Sequence, residues 1–65
     1  MVVLVGETAG KIFEFLDDNG EATVAKLRKE VGADAFTLNA AIGWLAREDK
    51  LVITKSGNSV KIALK

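Results

Sequence analysis

Three helices followed by a β-hairpin, an α+β arrangement, are what this 65-residue sequence predicts. Three observations carry the prediction. Apolar residues recur at spacings of three and four in three separate stretches before residue 49, which is the repeat of a helix face. From residue 51 the repeat drops to two, which is the repeat of a strand. Glycine or Asn-Gly punctuates the joints between these stretches.

Residues 1–5 (MVVLV) are apolar and rich in β-branched side chains. They read as a short strand beside the C-terminal hairpin or as the lead-in to the first helix, with an intermolecular contact as a sharper alternative. Gly6 is expected to break this run. A helix then spans residues 7–18, with Ala9, Ile12, Phe13 and Leu16 inward and Phe15 at the margin. Gly10 inside it costs up to about 1 kcal/mol against alanine, which suggests close approach of another backbone. Asp17 and Asp18 are sequence neighbours that do not share a helix face, so they read as solvated charges rather than an acid–base pair. Asn19 and Gly20 supply a left-handed stop.

Glu21 and Ala22 form a brief extended piece. Thr23 caps a second helix over residues 24–31, with Val24, Leu27 and Val31 inward. Gly32 ends it, and Asp34 caps a third helix over residues 34–48. Two short helices joined by a glycine-containing turn make a helix-turn-helix. Beyond it, Leu51, Ile53 and Lys55 alternate with Val52 and Thr54, and Val60, Ile62 and Leu64 alternate with Lys61, Ala63 and Lys65. Ser56, Gly57, Asn58 and Ser59 join the two strands as a tight hairpin. Helix, extended piece, helix-turn-helix and hairpin wing, in that order, are a winged helix, here one domain spanning residues 1–65.

Composition narrows the function. The chain has no cysteine and no histidine, which removes disulfides, thiolate metal sites, the commonest general base and the commonest zinc ligand. No nucleophile–base pair and no phosphate-cradling glycine loop is present, so no catalytic, cofactor-binding or metal-binding residue is assigned and no enzyme is expected. Nine basic and nine acidic residues cancel. The balance is uneven: residues 1–50 carry six Lys/Arg and nine Asp/Glu, a net of −3, while Lys55, Lys61 and Lys65 give the remainder +3. The short apolar start can neither span a membrane nor serve as a signal peptide, so a cytoplasmic protein with no membrane or small-molecule partner is expected.

The segments GETAGKI (residues 6–12), DDNGEATVAKLRKEVG (17–32) and AAIGWLAREDK (40–50) give the chain a family resemblance. It resembles a small prokaryotic family of stand-alone winged helix-turn-helix domains of uncharacterised function. The resemblance implies the winged-helix fold and, by analogy of fold, an association with DNA.

The third helix tests that implication. A winged helix that reads DNA places this helix in the major groove, where Arg, Lys, Asn, Gln or acidic side chains reach base edges. The reading positions here are Ala35, Phe36, Asn39, Ala40 and Gly43, of which only Asn39 is a candidate base contact. Candidate backbone contacts are Lys26, Arg28 and Lys29 on the second helix and Lys55 and Lys61 near the wing tip; an ordinary solvated surface explains the same lysines. Phe36, Ala40, Gly43 and Trp44 suit another task. Small residues admit a second helix, and the two aromatics offer about 1.5–3 kcal/mol each when covered. They form a candidate homodimer or protein-partner face, with cover by the chain's own hairpin or N-terminal run as the alternative. The expectation is a non-enzymatic binding module, DNA-associated and self-associating with poor sequence readout, or a purely protein-interacting one.

Overall fold

A computed structural model describes residues 2–65, with the backbone alone described for Val2. Met1 lies outside the described residues. Helix α1 spans Val2–Asn19, strand β1 Ala22–Thr23, helix α2 Val24–Val31, helix α3 Ala35–Arg47, strand β2 Leu51–Ser56 and strand β3 Ser59–Leu64. The predicted architecture is therefore present, and the extended piece before α2 joins the hairpin as a third strand of two residues.

The first helix is longer than the sequence suggests. Residues 2–6 are helical, so Gly6 does not break the run and no strand forms there. The reason is register. Continued backwards, the α1 repeat puts Val5 four residues before Ala9, in line with Ile12 and Leu16, and Val5 packs partly buried against the core. A run of five apolar residues, MVVLV, is too short to show its own period. Phe13, expected inward, is 41% exposed, whereas Phe15 packs against the core. Thr8 is buried beside Ala9 and Ile12, so the inward stripe is rotated towards Phe15 and away from Phe13. Nothing lies within 4 Å of a Cβ built on Gly10, so no backbone approaches there.

The two-residue β1 sits at Ala22–Thr23, one residue later than expected. The sheet order is β1-β3-β2, all antiparallel. Ile62 on the central strand pairs with Ala22 on one side and Ile53 on the other. Ile12, Leu27, Leu38 and Ile62 are the largest fully buried side chains, one each from α1, α2, α3 and β3. Each contributes on the order of 1.5–3 kcal/mol by leaving water.

Gly57 has φ 58 and Asn58 does not enter the left-handed region, so glycine alone turns the hairpin. The α3 terminus is less obvious from sequence. Lys50 N donates to Leu45 O at 3.1 Å and Asp49 N to Ala46 O at 3.0 Å, a Schellman closure. Asp49, at φ 61, fills the left-handed position that glycine usually takes. Lys65 Nζ donates to Asp49 Oδ1 at 2.6 Å and ties the chain end to this corner.

Candidate nucleic-acid interface

Two helices and the wing position the candidate residues. Thr23 fixes the start of α2, its Oγ1 accepting from Lys26 N at 3.1 Å. Gly32 closes it at φ 74, with its N–H donating to Arg28 O. The link to α3 is then only Ala33 and Asp34, which holds the two helices in a fixed relation. Asp34 occupies the N-cap of α3 as expected but makes no side-chain cap hydrogen bond of standard geometry. Its carboxyl is nevertheless held below the usual carboxylate value. The neighbouring Thr37 hydroxyl is the main cause, desolvation opposes it, and the backbone amides of Thr37, Asp34 and Phe36 add to it. A negative charge therefore stands at the N-terminus of the helix that would face phosphate.

Lys26, Arg28, Lys29, Lys55 and Lys61 are all exposed. Among the described residues the one ion pair is Lys65–Asp49, so none of the five is engaged. They do not form one track. Lys26 and Lys29 are three residues apart and share a face of α2, while Arg28 turns towards the side of Val24 and Ala25. That side borders a depression of about 260 Å³ shared with Asn58, Ser59 and Val60 of the wing. On the wing, Lys55 pairs with Val60 on the sheet face that carries buried Ile62. Lys61 pairs with Thr54 and Thr23 on the opposite face. Successive residues of a strand point to opposite sides, so the two lysines cannot meet one surface together.

On α3, Thr37, Leu38, Ala41, Ile42 and Leu45 are buried. Phe36, Ala40, Gly43 and Arg47 run along the opposite side at spacings of four, three and four, with Asn39 beside them. Phe36 is 67% exposed and Trp44 48%. Nothing lies within 4 Å of a Cβ built on Gly43, so neither α1 nor residues 2–5 cross there. Asn39 is exposed, with both amide groups open for hydrogen bonding. The stripe is thus open in the isolated chain, apolar along most of its length, and cationic only at Arg47. Sequence reasoning left Arg47 out of the candidate set, although its four-residue step from Gly43 continues the stripe.

A winged helix-turn-helix domain with an open third helix is the class these elements define. The profile of the winged helix-turn-helix domain family DUF2582 matches residues 2–64, and the chain belongs to that family. The uncharacterised protein MJ1608 of Methanocaldococcus jannaschii is 41% identical over 64 residues, covering 94% of this chain and 90% of its own. Two solved structures are similar. The protein BT2368 of Bacteroides thetaiotaomicron, solved by NMR, has a TM-score of 0.83 at 31% identity, over 94% of this chain and 74% of that one. The Zalpha domain of PKZ from Carassius auratus, crystallised in complex with Z-DNA, has a TM-score of 0.81 at 26% identity, over 94% and 97%. Among the described residues no helix is long and apolar enough to cross a membrane.

Proposed function

We propose that this protein is a non-enzymatic nucleic-acid-associated module that self-associates and recognises duplex shape and backbone rather than base sequence. The observation that carries the reading is the open α3 stripe on a winged-helix scaffold, where two-point chemistry for a base edge is confined to Asn39 and, at the far end of the helix, Arg47. The likeness to a domain bound to Z-DNA supports a duplex ligand and makes the left-handed form a specific one to try. The split of the cations over several faces limits the phosphate contacts to a few of the five. Binding is therefore weak and steeply salt-dependent, each contacted phosphate contributing about −0.9 to the log–log slope.

The test is a fluorescence-anisotropy titration of one labelled duplex held in the right-handed and then the left-handed form, at low salt. The expected result is a Kd on the order of 10⁻⁴ to 10⁻⁶ M for at least one form, with Lys29→Glu weakening it severalfold and Asn39→Ala changing the preference between forms. Affinity weaker than about millimolar for both forms excludes the reading.

A second reading rests on the 67% exposure of Phe36. Phe36, Ala40, Gly43 and Trp44 then form a homodimer or protein contact, and that face is closed to nucleic acid. Here Trp44→Ala or Gly43→Arg yields a monomer by sedimentation. Wild-type duplex affinity in both variants counts against it.

A further inference from the structure

The sheet has an unfinished side. β2 lies at the outer edge of the β1-β3-β2 order, so among the described residues one of its two hydrogen-bonding edges has no strand beside it. The parity of that edge follows from the hairpin. Lys65 N donates to Lys50 O at 3.0 Å, and Ser56 pairs with Ser59 across the two-residue turn. Residues 50, 52, 54 and 56 therefore direct their N–H and C=O groups towards β3. Leu51, Ile53 and Lys55 direct theirs out of the free edge.

Natural edge strands are protected by proline, bulges, charge or brevity. β2 has little of this. It runs six residues in unbroken register with β3, contains no proline and carries one charge, Lys55. Its centre is apolar on both faces: Val52 is 45% exposed and Ile53 48%.

We infer that the β2 edge is an interface for a second copy of this chain, the two β2 strands pairing antiparallel about a two-fold axis at Ile53. Self-complementarity argues for a second copy over an unrelated strand. With Ile53 opposite the partner's Ile53, Leu51 lies opposite the partner's Lys55, and Lys55 opposite the partner's Leu51. All three outward-facing residues of each strand are then bonded. Moving the register by two residues in either direction leaves one of them unpaired, and moving it by one opposes an outward residue to an inward one. The charges agree with the same register. The two Lys55 side chains stand at opposite ends of the ribbon, each laying its aliphatic stem over a leucine, and no like charges face one another. Val52 meets the partner's Thr54 on the other face. A chain this short also gains most from added burial. The interface uses no residue of the α3 stripe, so a dimer and an open third helix are compatible.

Sedimentation velocity of the intact chain up to about 1 mM tests this, together with variants that separate the edge from the stripe. The wild type is expected to be a dimer. Ile53→Lys places two ammonium groups on the axis and should weaken the dimer at least tenfold while far-UV circular dichroism stays unchanged. Trp44→Ala should leave it intact. Ile53→Cys, in a chain with no other cysteine, should form a disulfide-linked dimer on mild oxidation, because hydrogen-bonded partners sit about 5.5 Å apart at Cα, within disulfide reach. The same change at Phe36 should not. A wild type that is monomeric at about 1 mM overturns the inference. So does a folded Ile53→Lys variant that dimerises as well as the wild type, or an Ile53→Cys variant that fails to cross-link while Phe36→Cys succeeds.

Discussion

Helices α2 and α3 belong to one motif but are built on opposite plans. α2 has one fully buried anchor, Leu27, and an outer surface carrying Lys26, Arg28 and Lys29. α3 buries five residues, and its outer surface is Phe36, Ala40 and Gly43, with a cation only at Arg47. Long-range attraction to phosphate therefore resides on the helix with the lighter hold on the core. The firmly packed helix presents shape and apolar area. In a base-reading winged helix the chemistry of the third helix is the reverse, with polar side chains aimed at base edges. Under the proposed duplex reading, the difference makes affinity separable from readout: α2 and the wing would supply weak electrostatic affinity, and α3 offers only Asn39 and Arg47 to base edges.

Changes to the packing of each helix test the contrast most severely. Leu27→Ala removes the sole fully buried side chain of α2 and should lower stability by about 2–5 kcal/mol in urea unfolding. Phe36→Ala, on the α3 stripe, should change it by no more than about 0.5 kcal/mol. Equal losses would mean that the stripe is structural. The caps give the next test. Thr23→Ala should cost about 1 kcal/mol, because the Lys26 amide loses its acceptor. Gly43→Ala should stabilise the domain by about 0.5–1 kcal/mol, since the added methyl meets nothing within 4 Å and removes unfolded-state freedom.

The smallest expected effect is at Asp34. Its folded pKa lies below the usual value of 3.8. The associated stability is therefore complete above that value and lost as pH falls through the depressed one. An NMR titration should find the Asp34 midpoint below the ordinary aspartate value, and Thr37→Val should raise it. An unchanged midpoint in that variant would remove the hydroxyl as the cause.

Much of this molecule is legible in its residues. Thr23, Gly32 and Asp34 mark helix ends because caps act over three or four residues of chain, and the structure uses each at the expected position. Gly57 marks the hairpin for the same local reason. The candidate cations and the α3 stripe could also be named in advance. Their mutual placement could not. Lys61 on the wing comes to lie opposite Thr23, the cap of α2, because β1 pairs with β3, and a pairing between stretches so remote in the chain is a non-local fact. Phe13 and Phe15 exchanged their expected roles because aromatics two residues apart lie about 160° from one another around a helix, and only the position of α3 and the sheet decides which is covered.

The sequence alone determined the order and type of nearly every element, the points where helices start and stop, the neutral charge balance and the absence of the side chains most used in catalysis. These follow from local steric and hydrogen-bonding preferences and from simple counting. Tertiary structure decided that residues 2–5 join α1, that Gly10 and Gly43 face open space, and that β2 is left with an unpaired edge. Each of these depends on which remote surface comes to lie alongside. Burial and strand pairing are properties of such meetings, not of the residues taken one at a time.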